Sequence, residues 1–144
     1  IAVEQHADIR VALWMKFMLT IGTMGVQSVA GRGFGPTRED PDTRALYFDC
    51  MGEVATLAKH SGIVLPADAQ IQLMAAIDSY PAAAKASMLQ DLERGRPLEL
   101  DTMHGTVVRL GKALGLPTPA NQFIFSALKL RLAGGGHHLA QVGR

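Results

Sequence analysis

The chain has 144 residues, 48% of them hydrophobic, so it is long and apolar enough to form one domain with a core. Its 14 lysines and arginines nearly balance its 13 aspartates and glutamates, and a formal net charge of +1 gives no basis for binding nucleic acid or an anionic membrane surface. The single cysteine, Cys50, excludes an internal disulfide, fits a reducing cytoplasmic setting and is expected to be a buried structural thiol.

The first predicted helix covers about residues 8–29. Its apolar residues recur at steps of three to five, and they are Leu13, Phe17, Ile21, Met24 and Val29. Polar residues interrupt the apolar run over residues 11–29, so the pattern predicts a core helix and not a membrane span.

A narrow polar stripe runs along this helix, formed by Lys16, Thr20, Thr23 and Gln27. Such a stripe is usually a solvated outer face, and that alternative stays open. Lys16, however, lies within the apolar run of residues 13–19. Because a lysine buried without a partner costs free energy or gives up its proton, proteins keep one where chemistry or an anion uses it. We therefore predict a buried, functional Lys16.

The rest of the chain also predicts helices. The glycine-rich turn of residues 31–36 should be a plain loop, because it follows a helix and lacks the spacing of a dinucleotide-binding turn. Caps, prolines and glycines then predict helices over about residues 40–62, 66–81, 84–94, 99–114 and 118–133. No segment alternates with period two for long, which indicates an all-α domain over residues 1–133, and residues 134–144 are expected to be a flexible tail.

Several separated motifs share their order and spacing with one known family. They are Trp14-x-Lys16, the segment from Ser87 to Arg96, Glu99-Leu100-Asp101 with Gly105, and the segment from Gly111 to Asn121. Together they resemble the C-terminal domain of ketopantoate reductases, over about residues 8–133. The resemblance implies an all-α fold like the C-terminal domain of 6-phosphogluconate dehydrogenase. It also implies an N-terminal Rossmann domain, outside this chain, that packs against the helices and binds most of the NADPH.

The resemblance further implies an oxidoreductase that reduces 2-dehydropantoate to pantoate. Lys16 matches the family's catalytic lysine, Ser87 the serine that hydrogen-bonds the substrate, and Glu99 the glutamate that contacts the cofactor. An ammonium at Lys16 would stabilise the negative charge that develops on the carbonyl oxygen and then supply the proton. No metal is expected, because the adjacent histidines His137 and His138 are poor ligands.

Three positions depart from the family's pattern. Asparagines expected four and eight residues after the lysine are Thr20 and Met24, which we assign to the substrate site, and a third is replaced by Phe34. The loss of amide contacts weakens binding of a small hydroxylated acid, so the substrate is expected to be ketopantoate or a more apolar relative. The chain alone should be inactive. The alternative is a non-catalytic helical module that keeps the reductase scaffold for dimerisation.

Overall fold

The structure, a computed structural model, describes the backbone of residues 2–142 and the side chains of residues 9–131. This part of the chain is helical and contains no strand, which confirms the all-α prediction. Its elements are α1 (Ala2–Ala30), α2 (Phe34–Glu39), α3 (Pro41–His60), α4 (Ala69–Ser79), α5 (Ser87–Glu93), a π-helical turn (Asp101–Gly105), α6 (Thr106–Leu114) and α7 (Pro119–Val142).

The second half of α1 is the centre of the core and contacts α3, α5 and α7. Met18, Ile21 and Val26 are fully buried there. Gly22 allows close packing against α3, because a Cβ at this position would lie 3.1 Å from Cγ of Met51. The segment Ile9–Ala30 is long and apolar enough to cross a membrane by length and composition, but a core helix satisfies the same test.

The ends of α3 lie close to the predicted positions. Asp40 caps the helix, because its side chain accepts hydrogen bonds from the backbone N–H groups of Asp42 and Thr43 at 3.0 and 2.9 Å. The bond from Thr43 is the main reason why the pKa of the Asp40 carboxyl lies below its usual range. Gly62 follows the helix in a left-handed conformation with φ of 81°. Local sequence signals therefore determine both ends of this helix.

The prediction of a plain loop over residues 31–36 is wrong in its second half. Gly31 ends α1 with φ of 66°, as expected, but α2 begins at Phe34. The Thr37 hydroxyl donates to the Gly33 carbonyl at 2.7 Å, and Pro36 lies in the first turn, where its missing N–H is not needed. The ring of Phe34 stacks on Tyr80 at a centroid distance of 4.6 Å. Contacts distant in sequence therefore stabilise a helix too short to predict.

The last two predicted helices also differ in detail. The helix expected over residues 99–114 includes the π-helical turn, and Gly115 ends α6 with φ of 68°. The prediction that the three glycines after Ala133 end the last helix is wrong, since α7 continues to Val142. A glycine in a helix costs about 1 kcal/mol relative to alanine, but it does not block helical geometry. The flexible tail stays a prediction, and the side chains of His137 and His138 lie outside the described residues.

Glu53 of α3 caps the start of α7 from a distance. Its carboxylate accepts hydrogen bonds from the backbone N–H groups of Ala120 and Asn121 at 2.6 and 3.0 Å. The Asn121 side-chain amide donates to Glu53 at 2.6 Å and to the Cys50 carbonyl at 3.2 Å. A negative charge at a helix N-terminus is favourable, so this contact ties the last helix to the core.

Candidate active site

A cleft of about 410 Å³ opens between α1, the start of α2 and the loop that leads from α4 into α5. The side of α1 contributes Lys16, Leu19, Thr20, Thr23 and Met24. The other side of the cleft is formed by Phe34, Tyr80, Ala84, Lys85, Ala86 and Ser87. Four of the five residues assigned to the site from sequence therefore line one cleft: Lys16, Thr20, Met24 and Ser87.

The polar stripe of α1 faces this cleft. Its members are three or four residues apart, which places their side chains on one side of the helix. The hydroxyls of Thr20 and Thr23 donate to the carbonyls of Lys16 and Leu19 at 2.8 and 2.9 Å, so their remaining lone pairs can accept a hydrogen bond from a ligand. Thr23 is buried at 7% exposure and Gln27 at 0%. The second half of the stripe, at Thr23 and Gln27, is therefore not a solvated outer face, whereas its first member, Lys16, is exposed.

The prediction that Lys16 is buried is wrong, because its side chain is exposed. Leu13, in the same apolar run, is 61% exposed, and Ile9 is 55% exposed. The buried face of α1 near Lys16 is formed by Met18, while Trp14 and Phe17 pack partly against the core, so Lys16 lies on the side of the helix that no other described element covers. An apolar sequence run predicts a helix, but only the packing of other elements decides whether it is buried. Lys16 is thus an exposed residue that lines the cleft.

Ser87 is held at the cleft by the loop that precedes it. The side-chain oxygen of Gln27 accepts a hydrogen bond from the backbone N–H of Ala86 at 2.7 Å. On the opposite side, the N–H of Phe34 donates to the carbonyl of Ala84 at 3.0 Å. Gly33 permits this approach, since a Cβ there would lie 2.5 Å from the Ala84 oxygen. The loop is therefore fixed from both sides, and Ser87, the first residue of α5, is exposed beside it.

Glu99 does not line the cleft. It is exposed in the segment between α5 and the π-helical turn. Its spacing from Ser87 along the chain suggested one shared wall, but the two lie on different sides of a turn that contains Gly95 at φ of 67°. The assignment of Glu99 to the cofactor therefore stays a prediction.

Tyr80 and Lys85 are among the cleft residues that sequence reasoning missed. Lys85 precedes Ser87 by two positions, so a search for charges beside the matched serine could have found it. No local signal places Tyr80 there, because its position depends on its stacking with Phe34.

The electrostatics of the cleft suit an anion with an apolar part. Two lysines, Lys16 and Lys85, line it, and none of the described residues that form its wall carries a carboxylate. Lys85 pairs with Glu93, which lies outside the cleft wall, at 2.9 Å. Side chains 9–131 include no group of three histidine, cysteine or acidic residues placed to hold a metal.

The described fold lacks the elements that hold a dinucleotide. Binding of NADPH by a Rossmann domain needs a strand, a glycine-rich turn and a helix in that order. Residues 2–142 contain no strand, and the glycine-rich turn at residues 31–35 follows a helix. The residues present therefore do not fit a complete dinucleotide site.

The thiol of Cys50 is fully buried and free, as the sequence predicted. Burial raises the pKa of this thiol well above its usual value, so it stays protonated and takes no part as a nucleophile.

Comparison with known proteins identifies a family. The model of the ketopantoate reductase PanE/ApbA C-terminal domain matches residues 8–132. A 2-dehydropantoate 2-reductase of Mesorhizobium japonicum is 33% identical over 126 residues, which cover 88% of this chain and 38% of that protein. The crystal structure of a PanE/ApbA family ketopantoate reductase from Ralstonia eutropha is 30% identical, with a TM-score of 0.77, and the match covers 85% of this chain and 41% of that one.

The dimeric ketopantoate reductase of Staphylococcus aureus has the same fold, with a TM-score of 0.82 at 21% identity. The match covers 88% of this chain and 44% of that one. The chain thus spans less than half the length of the proteins that it matches here.

Proposed function

Since this chain belongs to the ketopantoate reductase C-terminal domain family, we propose that it is the catalytic and substrate-binding domain of an NADPH-dependent 2-oxoacid reductase. The observation that supports this most directly is the meeting of Lys16 and Ser87 at one cleft. They lie on α1 and α5, and only the fold brings them together.

Lys16 is the general acid in this proposal. The nicotinamide would supply a hydride to the carbonyl carbon of the substrate. Negative charge then grows on the carbonyl oxygen, and the ammonium of Lys16 stabilises this charge and transfers a proton to the oxygen. Ser87 binds the substrate through its hydroxyl, and Thr20 and Met24 form the adjoining wall. Coverage of the exposed Lys16 by a second domain would exclude water and strengthen these interactions.

The substrate is ketopantoate or a related, more apolar 2-oxoacid. The family's amide side chains are replaced by Thr20, Met24 and Phe34, and all three line the cleft. A site with fewer amide groups discriminates less strongly for the hydroxyl group of ketopantoate.

NADPH is held mainly by an N-terminal Rossmann domain of the same protein in this proposal. Two observations support this: the chain spans 38% of the Mesorhizobium reductase, and residues 2–142 lack a strand. Glu99, exposed beyond α5, is assigned to the cofactor side of the interface. The chain alone is then inactive, and we place the protein in the cytoplasm.

The test is substitution of Lys16 in the full-length protein that carries this domain. Lys16→Ala should lower kcat by roughly 10²–10⁴-fold, the usual contribution of a general acid, while the circular dichroism spectrum and NADPH binding stay unchanged. Lys112→Met, on the exposed side of α6, is the matched control and should keep full turnover. Unchanged turnover in Lys16→Ala would contradict the assignment.

A second candidate function is a non-catalytic module that dimerises through apolar helix surfaces. Large apolar side chains exposed on α1 and α7 favour it: Ile9 at 55%, Leu13 at 61%, Phe123 at 57% and Leu130 at 72%. The dimer of the Staphylococcus aureus enzyme is consistent with self-association in either case. Light scattering measures self-association, and only turnover that depends on Lys16 separates the two functions.

A further inference from the structure

The lining of the cleft includes a second lysine, Lys85, which the proposed reaction does not use. The ammonium of Lys85 lies 3.0 and 2.9 Å from the two carboxylate oxygens of Glu93. Both side chains are 42% exposed, so this pair contributes little to stability. Its effect is to restrict the position of the ammonium. An ammonium has three N–H donors, and two of them satisfy Glu93, which leaves one for a ligand.

The backbone on both sides of Lys85 is fixed. The carbonyl of Ala84 and the N–H of Ala86 are bound by Phe34 and Gln27, as described above. The carbonyl of Lys85 itself accepts a hydrogen bond from the side-chain amide of Gln90 at 2.9 Å. Lys85 is therefore presented by a rigid loop, and little conformational freedom is lost when it binds an anion.

An apolar wall lies in the same cleft as the charged Lys85. Phe34 is 5% exposed and stacks on Tyr80 with an interplanar angle of 23°. Arg38 donates to the carbonyls of Ile77 and Tyr80, which fixes the end of α4. Leu19 and Met24 of α1 complete this wall. These side chains form a largely apolar surface without an amide, and the hydroxyls of Thr20, Thr23 and Ser87 lie elsewhere in the cleft lining.

We propose that Lys85 binds the substrate carboxylate and that the wall formed by Leu19, Met24, Phe34 and Tyr80 selects 2-oxoacids with a bulky apolar substituent. This inference rests on the proposed reductase function, because it assigns the substrate of the same cleft. It separates two roles among the cations: Lys16 meets the carbonyl oxygen and Lys85 the carboxylate. A smaller or more hydroxylated acid leaves the apolar wall without a partner.

Substrate preference tests the apolar wall. The full-length protein is assayed with pyruvate, ketopantoate, 4-methyl-2-oxopentanoate and phenylpyruvate. We expect kcat/KM for the last two to exceed that for ketopantoate by about 10- to 200-fold, the range for an added apolar contact. Met24→Asn should reduce this ratio. A preference for ketopantoate would overturn the proposal.

The role of Lys85 is tested by removing the charge either from the lysine or from the substrate. Lys85→Met should raise KM for phenylpyruvate roughly tenfold with little change in kcat, and Lys85→Arg should restore it. With the carboxamide of phenylpyruvate as substrate, Lys85→Met should leave KM unchanged, since the carboxylate is missing. Lys112→Met is the matched control for loss of a lysine and should leave KM for both substrates unchanged.

The outcomes separate this inference from the proposed function. Equal changes in KM for the acid and the carboxamide would show that Lys85 acts through the fold, which overturns its assignment. A lack of turnover with every 2-oxoacid would contradict the reductase function, and this inference would be wrong with it. Turnover that depends on Lys16 but not on Lys85 would contradict this inference alone.

Discussion

Gln27 accepts a hydrogen bond of 2.7 Å from the backbone N–H of Ala86, 59 residues further along the chain. The side chain of Gln27 is fully buried, and its amide also lies 3.4 Å from the hydroxyl of Tyr47. That hydroxyl bonds to Thr37 at 2.7 Å. The hydrogen bond between Gln27 and Ala86 connects the helix that carries Lys16 with the loop that carries Lys85 and Ser87. It therefore helps to set the distance between the two sides of the cleft.

Gln27→Leu should destabilise the protein and disturb the cleft. Leucine has a similar size but leaves the buried N–H of Ala86 without an acceptor, which should lower the free energy of unfolding by about 1–3 kcal/mol. KM for 2-oxoacids should rise as well, because Ser87 is no longer held. Urea unfolding and steady-state kinetics measure the two effects. Gln72→Leu, at an exposed position of α4, is the control, and an equal loss in both variants would contradict the role of Gln27.

Glu53→Ala should lower stability without affecting the cleft. The substitution removes three hydrogen bonds at the start of α7 and leaves the buried Asn121 amide without this partner. We expect a loss of about 2–4 kcal/mol in the free energy of unfolding. Glu53→Gln keeps one acceptor oxygen and should lose about half as much. Glu39→Ala, exposed on α2, is the control, and chemical denaturation is the measurement.

Two glycines of α1 should respond differently to alanine. A Cβ at Gly25 would meet Nε2 of His104 and lie 2.9 Å from Cδ1 of Ile124, so Gly25→Ala should destabilise the protein by about 1–3 kcal/mol. At Gly22 the nearest atom, Cγ of Met51, would lie 3.1 Å away and needs only a small shift, and alanine gains about 0.5–1 kcal/mol of helix propensity, so Gly22→Ala should cost much less than Gly25→Ala. Thermal unfolding of both variants tests this, and equal losses would contradict the packing described for Gly25.

His104 should make stability depend on pH. Burial lowers the pKa of this histidine from 6.5 to about 4, and the bond from its Nε2 to the Ile21 carbonyl, at 3.1 Å, only partly opposes this. The unfolded chain therefore binds more protons than the folded chain between pH 6.5 and 4. The contribution of the neutral His104 to the free energy of unfolding is therefore complete above pH 6.5. It is lost as the pH falls toward 4, by about 3 kcal/mol in total.

Denaturation of wild type and His104→Gln at pH 7, 6, 5 and 4.5 measures this dependence. The variant keeps a donor for the Ile21 carbonyl but does not titrate, so its stability should vary less over this range. His60→Gln, at an exposed position, should behave like wild type. If the free energy of unfolding changed equally with pH in wild type and His104→Gln, the prediction would be contradicted.

Local patterns predicted much of the helical architecture. The apolar periods of α1 and α3, the cap at Asp40 and the turn at Gly31 follow from interactions between near neighbours in the chain. The short helix α2 and the continuation of α7 did not follow, because distant contacts or weak preferences decide them. Among the site residues, the motif match found Lys16 and Ser87, while Lys85 and Tyr80 became visible only in the cleft.

The sequence by itself determined the all-α class, the family resemblance and the residue types available for chemistry, because these depend on composition and on spacing along single helices. Only the tertiary structure decided that Lys16 is exposed, that Glu99 lies away from the cleft and that Lys85 lies in it. Burial and proximity depend on which helices cover a surface and on bonds such as that between Gln27 and Ala86. The spacing of apolar residues within one helix does not show which of its surfaces other helices cover.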